Sequence, residues 1–135
     1  MNSAARLLRR LADRRLASLG LAAGQLPVLT ALMAHDVLSQ KTLTERAGIE
    51  QPTMAATLNR MERDGIIERQ PDLIDKRSVL FSLSAATRAK VTKIKRVIES
   101  INIDALRDVP SDRREDFTNN LKLVIASLEK EIDRR

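Results

Sequence analysis

Apolar residues return at three- and four-residue steps over most of this chain, and the places where that rhythm stops define its parts. Between Ala4 and Leu19, Leu8, Leu11, Arg15 and Leu19 share one helical face, with Leu7 and Leu16 beside them. Gly20 predicts the stop. Gln25–Ala34 predicts a second helix, with Leu26, Leu29, Leu32 and Met33 on one stripe and Pro27 in its first turn. Ser39 suits the N-cap of a third helix, Ser39–Ala47, which Gly48 ends. The turn Gly48-Ile49-Glu50-Gln51 leads to a fourth helix, opened by Pro52 and closed by Arg63-Asp64-Gly65. Then the period changes. Ile66-Ile67-Glu68-Arg69 and Val79-Leu80-Phe81-Ser82-Leu83 carry the β-branched and aromatic residues of strands. Pro71 and Asp72 mark the turn between them, followed by Asp75-Lys76-Arg77.

The helical rhythm resumes at Ser84, a possible cap for one long helix carrying Val91, Ile94, Ile98, Ile101 and Ala105. Asp108-Val109-Pro110-Ser111 breaks it. Ser111 is the expected cap of the last helix, with Asp112, Glu115 and Asp116 placed favourably in its first turn. Phe117, Leu121, Val124, Leu128 and Ile132 form an apolar seam along that helix. The expected fold is mainly α, with six helices and a small hairpin assembled as a two-fold dimer. The seams near the chain's ends would be buried on a partner.

Helix, turn, helix and a hairpin with a basic tip make the outline of a winged helix-turn-helix, which places one helix in a DNA major groove and a loop beside it. If Met54 faces the core, Leu58 and Met61 fall with it. The opposite face carries Thr53, Ala56, Asn59, Arg60 and Arg63, with Gln51 and Ala55 near its edge. Small residues allow close approach to the groove floor. Asn and Gln can make two bonds to adenine, and Arg two to guanine. The plain alternative is a solvated helix. The hairpin that follows weighs against it: Arg77 suits a narrow, negative minor groove, and Asp75 is positioned to hold its guanidinium.

Composition sharpens this picture only in part. The 135 residues suit one domain, and 43% are apolar, with Phe81 and Phe117 the sole aromatics. Net charge is +6, which favours a polyanionic partner. Yet Lys41 to Leu83 holds seven basic and seven acidic side chains. The surplus lies in Arg6, Arg9, Arg10, Arg14 and Arg15, and in Arg88, Lys90, Lys93, Lys95 and Arg96. DNA binding therefore depends on which face the charges occupy, not on their total.

Enzymatic chemistry finds little to use. Cys is absent and His35 is the single histidine, so no triad, thiolate or histidine-paired metal site is expected, and no cofactor. The four glycines form no phosphate loop. No run approaches ~20 apolar residues, and no apolar run follows Arg6, Arg9 and Arg10 as in a secretory signal. A cytoplasmic location without membrane contact is expected. The non-enzymatic rival is a helical protein–protein interaction module, or anti-regulator, with no DNA role.

The run Thr57-Leu58-Asn59-Arg60-Met61-Glu62-Arg63-Asp64-Gly65-Ile66-Ile67-Glu68-Arg69, followed by Asp72, Asp75-Lys76-Arg77 and Leu83-Ser84, closely resembles the MarR family of bacterial transcriptional regulators. Upstream, Leu21, Gln25-Leu26, Val28-Leu29 and Leu32 are similar to its second helix. The similarity covers nearly the whole chain, and the Asp-x-Arg wing is its most specific part. Met61 stands where Leu is usual and Ser84 where Thr is usual; the first helix is short, and no aromatic residue follows Gln25. The resemblance implies a homodimeric transcriptional regulator, expected to be a repressor, that binds double-stranded DNA at a near-palindromic operator. Residues 1–135 would form one domain, with 25–83 binding DNA and 1–20 and 85–135 supplying dimerisation helices. Base contacts map onto Gln51, Thr53, Ala55, Ala56, Asn59 and Arg60, and wing contacts onto Asp75, Lys76 and Arg77. Dimerisation maps onto Leu8, Leu11, Phe117, Leu121, Val124 and Leu128. Many members release DNA when a small, often aromatic, anion binds; those that sense peroxide by a cysteine are excluded as models here by the missing thiol.

Overall fold

A computed structural model describes residues 1–134. The chain divides into two compact units, Met1–Glu99 and Ser100–Arg135. The first begins with α1, Asn2–Leu16, whose last turn tightens into a 3-10 turn over Ala17–Leu19. Gly20 ends it with φ 73°. Its N–H bonds Ala17 O at 3.0 Å, and Leu21 N–H bonds Leu16 O at 3.1 Å. That pair of bonds satisfies the last helical carbonyls, and Leu16 and Leu21 on either side of the stop are both buried.

A 3-10 turn, Ala23–Gln25, leads into α2, Leu26–Ala34. Gln25 Oε1 accepts the Ala22 N–H at 2.9 Å, and Asp13 Oδ1 accepts the Ala23 N–H at 2.7 Å. Gln25 is thus a local cap. Val28, Leu29 and Leu32 are buried. Next come β1, Leu38–Ser39, and α3, Gln40–Ala47. Ser39 caps α3 as expected, accepting the Thr42 N–H at 3.1 Å. After Gly48 the chain enters α4, Gln51–Arg63, with Pro52 in its first turn.

Strands β2, Ile67–Pro71, and β3, Val79–Leu83, pair antiparallel with Ile67 opposite Leu83 and Arg69 opposite Phe81. The expected hairpin is present, but the sheet has a third strand. β1 pairs with β3, Leu38 opposite Phe81, giving the order β1-β3-β2. Phe81 sits at the centre of this sheet and is fully buried.

The single long helix expected after Ser84 is two. Ser84 caps α5, Ala85–Arg88, and α6, Val91–Ala105, follows. The physical reason is an anchor. Thr87 Oγ1 donates to Ile66 O at 2.8 Å, fixing α5 to the end of the sheet. The chain then tightens, Lys90 N–H bonding Thr87 O at 2.9 Å, before α6 restarts from Lys90 O.

In the second unit, Ser111 does not cap the last helix. Pro110 turns the chain into a 3-10 turn, Ser111–Arg113, and Arg113 takes the cap position of α7, Arg114–Asp133. Arg114 reaches back instead, donating through Nε to Val109 O at 2.9 Å and through Nη2 to Arg107 O at 3.2 Å. Glu115 and Asp116 occupy the first turn as expected. No side chain of α7 is buried. Among the described residues there are thus seven α-helices rather than six, with a small antiparallel sheet, and the chain remains mainly α. Among the described residues no single helix is long and apolar enough to cross a membrane.

Candidate nucleic-acid interface

The inner stripe of α4 is closed. Met54, Leu58 and Met61 are buried, and so is Thr57, whose hydroxyl donates to Thr53 O at 2.9 Å. Burial also shields both methionines from oxidants. Gln51, Thr53, Ala56, Asn59, Arg60 and Arg63 are exposed and Ala55 is half-buried. Amide, hydroxyl and guanidinium groups therefore share one accessible face with small side chains, as expected from the periodicity.

The end of α4 fixes where the wing begins. Gly65 adopts φ 74°. Gly65 N–H bonds Glu62 O at 3.1 Å and Ile66 N–H bonds Met61 O at 2.9 Å, the closure also seen at Gly20. Only glycine takes this left-handed step without cost, and it delivers Ile66 and Ile67 into the core at the base of the hairpin.

A brace then joins helix to wing. Arg69 lies on β2, with its guanidinium carbon 5.4 Å from the ring centroid of Phe81. Its Nε is 3.3 Å from Glu62 Oε2, and its Nη2 donates to Asn59 Oδ1 at 3.3 Å. One side chain from the strand thus spans two positions on adjacent turns of α4. Sequence periodicity does not single out Arg69, since it reads as an ordinary outward strand residue. The available signal is a cation in a strand ten residues after an amide on the preceding helix.

The wing tip is built from side-chain turns. Asp72 Oδ1 accepts the N–H groups of Ile74 at 2.9 Å and Asp75 at 3.2 Å. Asp75 Oδ1 accepts the Arg77 main-chain N–H at 3.1 Å. This corrects one expectation: the Asp75 carboxylate engages the backbone of Arg77 rather than its guanidinium. Two residues of separation in a turn bring a short carboxylate onto the N–H, well short of a long arginine's end. Lys76 and Arg77 are exposed, and so are Leu73 at 88% and Ile74 at 98%.

Elsewhere, Arg46 Nη1 lies 2.9 Å from His35 Nε2. A guanidinium only donates, so His35 accepts and is held in a structural contact. In the second unit a hollow of about 520 Å³ places Arg113 and Phe117 beside Asp108 and Asp116. Its carboxylates outnumber its guanidinium, so its charge does not select an anion. The candidate dimerisation residues are accessible. Phe117, Leu121 and Leu128 are 46%, 42% and 53% exposed, Leu8 is exposed, and Leu11 and Val124 are half-buried.

Comparison with known proteins bears on the same segment. Residues 21–79 match the MarR family pattern. A helix-turn-helix-type transcriptional regulator of Bacillus subtilis, YwoH, is 26% identical over 125 residues, covering 93% of this chain and 90% of its own. A MarR transcriptional regulator from Methanosarcina mazei superposes with a TM-score of 0.85 at 21% identity, over 96% of this chain and 93% of its own. A mutant MarR from E. coli complexed with operator DNA gives 0.83 at 21% identity, over 91% and 89%. The structural likenesses carry the fold, and the family match spans residues 21–79, less than half of the chain. Together with the braced helix and wing, they make residues 21–79 similar to the MarR family and give the chain the fold of MarR winged helix-turn-helix proteins.

Proposed function

We propose that this protein is a sequence-specific, double-stranded DNA-binding transcriptional repressor acting as a homodimer. The observation that carries the reading is the joint exposure of two elements locked to one another: the outer face of α4 and the basic wing tip. In this reading α4 enters the major groove and offers Gln51, Thr53, Ala55, Ala56, Asn59 and Arg60 to base edges. Arg77 enters the adjacent minor groove and Lys76 meets phosphate. Asp75 shapes the turn that aims them.

Homodimer formation is supported by the apolar row on α7, with Phe117, Leu121, Val124 and Leu128, and by Leu8 and Leu11 on α1. One reading helix per protomer then calls for a near-palindromic site with half-sites about one helical turn, ~10 bp, apart. Footprinting on DNA upstream of the protein's own gene tests this. Two symmetric protected half-sites are expected; a single asymmetric site of half that length excludes the dimeric mode. A pure protein-interaction module predicts no preference for any duplex over random DNA. The family resemblance adds release of DNA by a small anionic or aromatic ligand. Calorimetry with salicylate-like compounds tests that part, with heat and a matching loss of operator affinity as the expected result.

A further inference from the structure

Asn59 is the one amide near the middle of the exposed face of α4, and one end of it is engaged by Arg69. Arg69 offers only donors, so the Asn59 atom 3.3 Å from its Nη2 is the carbonyl oxygen. Arg69 itself is held from two further directions, by Glu62 at 3.3 Å and by the ring of buried Phe81 at 5.4 Å. The strand register sets its position, because Arg69 and Phe81 are direct partners across β2 and β3. Among the described residues no bond engages the other end of the amide.

We propose that Arg69 is a positioning residue for base recognition: by engaging one lone pair of Asn59 Oδ1 and setting a positive charge beside it, Arg69 turns the Asn59 N–H2 toward the bases, so Asn59 favours a hydrogen-bond acceptor over adenine. This rests on the DNA-reading function proposed above and assigns one of its base preferences. Asparagine pairs with adenine by accepting from N6–H2 while donating to N7. Here one lone pair of the accepting oxygen is already engaged, and an adenine amino group approaching the other would bring a second donor beside a positive guanidinium. Guanine presents two acceptors, O6 and N7, at the same edge. A lone amide donor is satisfied there without using its oxygen.

The brace also links the two elements that touch DNA. A wing displaced by a wrong flanking sequence would pull on Arg69 and so on Asn59, coupling minor-groove fit to the major-groove contact.

The test is a binding selection on the full-length protein with duplexes randomised over the half-site, followed by titrations in which only the base step assigned to Asn59 by Asn59→Ala is varied. The wild type is expected to favour guanine over adenine there. Arg69→Met keeps an apolar stem over Phe81 but removes the donors, and should swing the preference toward adenine by on the order of tenfold. Glu62→Gln loosens one anchor and should shift it the same way by less; it sits at a partly exposed surface position and serves if Arg69→Met folds poorly. Selective binding with the same base preference in wild type and both variants overturns the assignment while leaving DNA recognition intact. A uniform loss of affinity with no change of preference does so too, because it marks Arg69 as a simple phosphate or scaffold residue. A wild type that selects no duplex overturns the underlying function as well.

Discussion

Two stretches of this chain carry the same kind of apolar rhythm and put it to opposite use. On α4, Met54, Leu58 and Met61 recur at helical steps and all are buried, closed against the protein's own core. On α7, Phe117, Leu121, Val124 and Leu128 recur in the same manner and none is buried. Periodicity shows that a helix has an apolar side; it does not show whose surface will cover it. The first stripe is completed within the chain. In the proposed dimer the second is completed by another copy, so the stability of that contact depends on concentration.

The largest expected effect breaks the second stripe. Leu128→Arg or Leu121→Arg should turn the dimer into a monomer in sedimentation and abolish operator binding, while circular dichroism of the monomer keeps its helical signal. A wild type that sediments as a monomer at micromolar concentration removes the contrast altogether. Breaking the first stripe's sheet should look different. Phe81→Ala should cost about 3–5 kcal/mol of unfolding free energy, with no dependence on protein concentration beyond that of the wild type. Urea denaturation at two concentrations separates the cases.

Much of the first region was legible because its signals are local. Pro52, the Met54, Leu58 and Met61 spacing, and Gly65 lie within one helix and its stop. The pairing of β1 with β3 was not legible, since two residues carry no period and their partners lie far along the chain. The break between α5 and α6 was hidden because no Gly or Pro marks it and the apolar steps run on; its cause, Thr87 bonded to Ile66, is distant in sequence. Ser111 had the right residue type for a cap, but Pro110 sends it into a 3-10 turn. The identity of Asp75 pointed to Arg77, yet only geometry shows that the backbone N–H is the partner.

Smaller changes sharpen the comparison from the DNA side. Arg77→Ala should weaken binding at every site, more at A·T-rich flanks, because a minor-groove arginine reads width. Lys76→Ala should weaken all sequences equally. Each should flatten the plot of log affinity against log salt by roughly one unit. Asp75→Ala should also weaken binding, although it removes a negative charge near DNA, since the turn loses its acceptor for Arg77 N–H. A gain in affinity for that variant shows that repulsion outweighs the turn.

The smallest effect isolates the joint between reading helix and wing. A Cβ added at Gly65 meets nothing within 4 Å, so Gly65→Ala strains only the backbone. The cost should be about 1–2 kcal/mol, read as a lower denaturation midpoint with an unchanged slope.

The third strand has a consequence for the order in which the molecule is made. Leu38 and Phe81 are partners, so α3, α4, β2 and the wing tip lie on the loop of chain that this pairing closes. As the chain leaves the ribosome, α3 and the proposed reading helix α4 emerge before β3, the strand at the centre of the sheet. The β2–β3 hairpin closes a short loop and forms readily; the β1–β3 contact closes a long one and comes later. A newly made chain therefore passes through a stage with helix-forming segments and no floor beneath them. In the proposed function, it becomes competent to read DNA only once Phe81 has been delivered.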